Sequence, residues 1–173
     1  MKATDIIIAL RKQLENPVGR HLYGVLGSYS ALSTFSRALE EARFADGTPF
    51  PMPLSVNAGI INSFSDDQFR EIVTNEARLP DPTRTSVRMA FEAFLSDSIR
   101  QSPLLILNDL ELLFAYNIDL SLLRVLSTDQ KRIVLLLPGK RSGKRIVMYP
   151  NVEGEYQIPQ GIIAEHHLWE VTE

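Results

Sequence analysis

The sequence predicts a three-layer α/β fold: a mainly parallel sheet with helices on both faces and a hairpin near the C-terminus. Short apolar runs alternate along the chain with segments of helical periodicity. Two of those runs, Leu104 to Leu107 and Ile133 to Leu137, are apolar without alternation, as strands covered on both faces must be. The first run passes through a glycine turn into a helical pattern, and strands that alternate with helices favour parallel pairing.

The elements follow in order. Ile6, Ile7, Leu10 and Leu14 recur at helical spacing behind Thr4 and Asp5, and Asn16, Pro17 and Gly19 end that helix. His21 to Leu26 is the first strand, and Ser33 to Arg43 the helix after the turn. Pro49, Pro51 and Pro53 mark a loop, after which Leu54 to Ile61 reads as a second strand. Ser65 and Gln68 form a capping box for a helix expected to turn Phe69, Ile72 and Val73 inward, stopped by Pro80 and Pro82. Val87, Phe91, Phe94, Leu95 and Ile99 share the next helical face, which leads into the strand at Leu104. Leu120 to Leu126 is helical, and the strand Ile133 to Leu137 is expected to break at Pro138-Gly139. Arg145 to Tyr149 and Glu155 to Ile158 pair as a hairpin around Asn151 to Gly154, and His167 to Val171 is a last strand.

At 173 residues and 45% hydrophobic, the chain is expected to be one domain, 1–173, around one sizeable core. A net charge of -3 argues against a surface dominated by nucleic-acid contacts. Cysteine is absent, which excludes disulfides, thiolate metal sites and a cysteine nucleophile. No segment has the length of apolar sequence that a membrane span or a signal peptide needs, so a cytoplasmic protein without a membrane partner is expected.

Ligands of open parallel sheets bind beyond the carboxyl ends of the strands, which directs attention to Gly27 to Thr34. A Walker A loop needs glycine first and sixth to wrap backbone N–H groups round phosphates, lysine seventh to neutralise them, and serine or threonine eighth to hold magnesium. Here Gly27 and Thr34 fit the ends, with Ser28 following the glycine. Leu32 replaces the second glycine and Ser33 the lysine. The run Leu104 to Leu107 ends in Asn108-Asp109, with Glu111 two residues on, as a Walker B strand ends in a carboxylate facing magnesium. Asn108 brings no charge to that tip. The pattern is a P-loop NTPase-type fold whose nucleotide-binding positions, Gly27, Ser28, Ser33, Thr34, Asn108, Asp109 and Glu111, are degenerate. No cofactor is expected, weak binding of ATP with magnesium being the alternative.

The glycine turn, the segment Asn-Asp-Leu-Glu-Leu-Leu-Phe at 108–114, the Lys-Arg-led strand ending Leu-Pro-Gly and the Tyr-Pro-Asn hairpin resemble the small P-loop protein of BREX phage-defence systems, the BrxF-like family. The similarity spans most of the chain. Members carry an intact Walker A and an Asp-Asn order at the Walker B tip, where this chain has Ser33 and Asn108-Asp109. The resemblance implies a bacterial cytoplasmic component of an anti-phage complex, with larger proteins that modify DNA or act on phage as partners.

Lys140, Arg141, Lys144 and Arg145 put four cations beside the Pro138-Gly139 break. They are either the solvated tip of a hairpin or a phosphate-contacting loop for DNA or RNA. His166 and His167 are expected on a strand, pointing to opposite faces, so no shared metal site is expected; His21 stands alone. Two functions remain: a non-catalytic interaction scaffold, or an atypical ATP-binding NTPase in which Thr34, Asp109 and Glu111 are completed by a cation from Lys140, Arg141 or a partner subunit.

Overall fold

The computed structural model describes residues 1–143, 145–150 and 156–172. Lys144 of the basic cluster and 151–155 of the hairpin turn lie outside the described residues. Helix α1 (Ala3–Leu14) leads to β1 (Leu22–Gly27), α2 (Tyr29–Glu41), β2 (Leu54–Ser55), α3 (Val56–Asn62), α4 (Asp66–Asn75) and α5 (Pro80–Gln101). Then come β3 (Leu104–Asn108), α6 (Glu111–Ala115), α7 (Ser121–Leu126), β4 (Arg132–Ser142), β5 (Arg145–Met148), β6 (Tyr156–Ile158), a 3-10 turn (Glu165–His167) and β7 (Leu168–Glu170).

The strand order β2-β3-β4-β1-β7 is parallel throughout, and β5 and β6 extend β4 as an antiparallel hairpin. This is the three-layer α/β plan that the alternation of runs predicts. The apolar strands need cover on both sides because successive side chains point to opposite faces. Tyr23, Val25, Ile106, Val134 and Leu136 pack with α1 and α2 on one face. Leu22, Leu26, Leu105, Leu107, Ile133 and Leu135 pack with α3, α5, α6 and α7 on the other.

The structure differs from the sequence reading at several points. Helix α2 begins four residues before Ser33, because Ser28 caps it: its side chain accepts from the Ala31 N–H. Only Leu54 and Ser55 pair as β2; Ser55 then caps α3 by accepting from Ala58, so most of the expected second strand is helix. The capping box of Ser65 and Gln68 forms, but α4 buries no residue, and Phe69 and Val73 remain 44% and 58% exposed instead of facing the core. Pro138-Gly139 does not break β4. It marks the point where pairing with β1 ends, at Gly27 with Pro138, and pairing with β5 begins, at Gly139 with Met148. A proline fits a strand where the ladder changes partners, since it has no N–H to offer. The last strand starts at Leu168, because Glu165–His167 forms the 3-10 turn.

Candidate functional site

The carboxyl ends of β1, β3 and β2 meet at one edge of the sheet, and the polar groups there come from four separate stretches of sequence. Beyond β1 a single residue, Ser28, intervenes before α2 starts. Its hydroxyl accepts from Ala31 N at 3.1 Å and contacts the Ser30 hydroxyl at 3.0 Å. Leu32 is a buried core side chain of α2, not a loop residue. Ser33 and Thr34 are exposed in the second turn of the helix. At about 1.5 Å of rise per residue, Thr34 stands roughly 7 Å along the axis from the helix start. The eight positions from Gly27 to Thr34 therefore form a strand end, a cap and a helix, with no loop to wrap a phosphate chain.

Gly27 has a packing role. A Cβ there would lie 2.7 Å from Val171 Cγ1 and 3.3 Å from the Val171 carbonyl oxygen, so the close pass of the segment after β7 requires glycine.

At the tip of β3, Asp109 adopts a left-handed backbone with φ of 50°, and its carbonyl accepts from the Asn57 N–H at 2.9 Å. Asp109 itself is exposed. This turn delivers Glu111 inward, where both carboxylate oxygens are engaged. Tyr29 donates its hydroxyl to Oε1 at 3.0 Å, and the Asn57 amide donates to Oε2 at 2.8 Å. Asn57 also accepts from the Leu112 N–H at 3.0 Å, locking α6 to α3. The Tyr29 hydroxyl is pushed up to about 12 by burial and by its bond to the Glu111 carboxylate. Tyr149, with φ of 50°, is buried beside Phe114 and Tyr156, and desolvation, then the charge of Glu111, raises its phenol far above the ordinary range. Its hydroxyl and Asn108 Oδ1 are buried without a hydrogen-bond partner among the described residues.

Chemically, Ser28, Tyr29, Asn57, Asn108, Asp109, Glu111 and Tyr149 contain two carboxylates and no cation. Such a set repels a phosphate chain. Glu111 is held as a hydrogen-bond acceptor from Tyr29 and Asn57, which fixes the orientation of its carboxylate. Sequence reading pointed to Ser28, Asn108, Asp109 and Glu111 but missed Tyr29, Asn57 and Tyr149. The available signals were an aromatic residue inside the glycine turn and a polar residue just after the apolar start of β2.

The basic hairpin is divided. Arg141 turns back on the sheet, donating to the Leu168 carbonyl at 2.7 Å and lying 3.8 Å from Glu165. Lys140 is on the opposite face of the strand, together with Arg145, which pairs with Ser142. The three histidines also differ from expectation. His166 and His167 are on the 3-10 turn with ring centroids 4.2 Å apart, and both line one cavity with His21. Among the described residues no group of three or more His, Cys, Asp or Glu is arranged to hold a metal. Nor is any described helix long and apolar enough to cross a membrane.

Fold and site together define a three-layer α/β protein whose sheet edge is closed by its own side chains. No family model, curated protein or solved structure matches the chain.

Proposed function

We propose that this protein is a non-catalytic scaffold built on a P-loop NTPase-like plan, acting in the cytoplasm beside other proteins of a bacterial anti-phage complex. The phage-defence setting rests on the sequence resemblance. The loss of catalysis is supported by one structural observation above all: β1 passes into α2 through Ser28 alone, and Tyr29 at the helix start donates to Glu111 across the space a phosphate would enter. A scaffold needs an outward surface, and α4 supplies one, with Phe69 and Val73 exposed on a helix that buries nothing.

A second reading, an NTPase completed by a partner's cation, is favoured by the unopposed carboxylates of Asp109 and Glu111, which invite a positive group. Titration of the protein with ATP and magnesium separates the two. The scaffold reading expects no rise in Tm and no micromolar binding, which corresponds to about -8 kcal/mol. A saturable Tm rise, abolished by Glu111→Gln, would overturn it in favour of the second. Co-purification from the native host, compared between the parent and a Phe69→Ser, Val73→Ser variant, tests the surface; equal recovery of partners by both would remove α4 from the proposal.

A further inference from the structure

We propose that the cavity at the amino end of β1 binds a small phosphate-bearing anion. This cavity of about 480 Å³ is at the opposite end of β1 from the Tyr29–Glu111 cluster. Six strand residues at about 3.3 Å each put roughly 20 Å between them, so the inference does not rest on the proposed function.

The lining decides the ligand class. Arg20, His21, Tyr23, Arg124, His166 and His167 line the cavity, and no aspartate or glutamate does. This concentration of basic groups occurs in a chain of net charge -3. They come from three places: the loop before β1, the last turn of α7 and the 3-10 turn. Among the described residues neither Arg20 nor Arg124 has an ion-pair partner. Two unneutralised guanidinium groups with imidazoles beside them suit a phosphate, whose oxygens accept several N–H bonds at once. The volume is within the range of small-molecule sites.

His21 adds a second observation. Its side chain is 2% exposed, and its Nδ1 is 2.7 Å from the Tyr23 hydroxyl. That hydroxyl has one proton, which it donates to the Gln13 carbonyl at 3.2 Å, so it must accept from Nδ1–H. The other ring nitrogen, Nε2, is buried without a partner among the described residues. With the proton on Nδ1, the neutral ring leaves Nε2 as an acceptor, and the P–OH of a hydrogen phosphate group supplies the donor it lacks while its other oxygens accept from the arginines. The remaining charged neighbours are accounted for. Asp129 accepts from the Gly19 N–H at 2.8 Å and partly offsets at His21 the positive potential that Arg132 adds there and at Tyr23, and Glu165 reaches toward Arg141. Tyr23 holds the wall rigid, with its ring 4.5 Å from His167 and 6.0 Å from Trp169.

All three histidines of the chain line this cavity, so imidazole NMR signals report on it alone. Inorganic phosphate is titrated into the full chain at constant ionic strength, with AMP in a parallel series. The proposal expects saturable shifts of the imidazole signals. AMP binding more tightly than phosphate assigns the ligand to nucleotides, and equal or weaker binding assigns it to free phosphate. In an Arg20→Ala, Arg124→Ala variant the dissociation constant should rise about tenfold or more, since hydrogen bonds to charged groups are the strong ones. Both arginines are exposed, so the Tm of the unliganded variant should stay at the parent value. Shifts that grow linearly without saturation, or a dissociation constant unchanged in the variant, would overturn the proposal.

Discussion

Gly27 shows how one residue type serves two explanations that experiment can separate. As the first glycine of a phosphate loop it would matter only to a ligand; as a packing glycine it matters to folding. The 2.7 Å approach of Val171 Cγ1 to a would-be Cβ predicts that Gly27→Ala costs about 1–3 kcal/mol, the usual range for overpacking. Urea unfolding reads this directly, and an unchanged midpoint would return the glycine to a ligand role. The Tyr29–Glu111 bond makes its own prediction. The hydroxyl proton is held by burial and by the carboxylate, so Glu111→Gln should bring the Tyr29 phenol down from about 12 toward its ordinary value of 10. The check is the ultraviolet difference spectrum between each protein and its Tyr29→Phe counterpart. The site residues identified from the sequence, Ser28, Asn108, Asp109 and Glu111, come from two motif-bearing stretches. Tyr29, Asn57 and Tyr149 escaped because they join the cluster only across the fold, and no spacing rule records such contacts.

Among the elements, what was legible was what burial dictates. The unbroken runs at Leu104 and Ile133 are strands because both faces are covered, and the spacing of Val87, Phe91, Leu95 and Ile99 gives the long helix α5. Caps and close approaches decided the rest. Ser28 starts a helix earlier than apolar periodicity suggested, Ser55 starts one where the sequence reads as a strand, and Gly59 sets how closely α3 packs. A Cβ at Gly59 would lie 2.3 Å from Phe94 Cδ2, so the α5 ring packs directly on the α3 backbone. Gly59→Ala should therefore destabilise the protein by about 1–3 kcal/mol, and Phe94→Leu should recover part of that loss in the double variant. Strictly additive losses would show that the ring is not what excludes the methyl group. The hairpin yields a salt test. Lys140 and Arg145 share one face while Arg141 is engaged with Leu168 and Glu165. If the protein contacts duplex DNA through this hairpin, removing Lys140 and Arg145 should flatten the log affinity against log salt slope by about 1.8, at roughly 0.9 per phosphate. Arg141→Ala should leave the slope nearly unchanged; an equal effect from Arg141 would mean that its guanidinium leaves the sheet to meet phosphate.

Taken as a whole, the molecule ties its stability to pH through groups packed against one sheet, the buried His21 and half-buried His167 at one end and phenols at both. Burial lowers the His21 and His167 affinity for protons, with Arg132 adding to the effect at His21 and His166 at His167. A histidine whose folded pKa is depressed contributes stability that is present above its unfolded value, near 6.5, and is lost as pH falls below it, because the unfolded chain then binds protons that the folded one refuses. The lowered carboxylates, Asp46 and Asp119, act from their ordinary value of 3.8 downward, so they do not overlap this window. On the alkaline side the sign reverses. Tyr23 is pushed up to about 12 by burial, so its contribution is intact below 10 and fades as pH climbs toward 12. Unfolding free energy should therefore fall when pH drops from 7.5 to 5.5, stay level between about 7.5 and 9.5, and fall again above 10. The buffer must be free of phosphate, since an anion that binds only the folded cavity would add stability by mass action and mask the acid limb. The decisive comparison is His21→Gln, which keeps a polar side chain beside Tyr23 but cannot titrate. Its acid limb should be shallower than the parent's, while its alkaline limb, set by the phenols, should be retained. A parent curve that is level from pH 7.5 to 5.5, or a variant with the parent's full acid slope, would show that the buried imidazole at the amino end of β1 takes up its proton as freely in the folded chain as in the unfolded one.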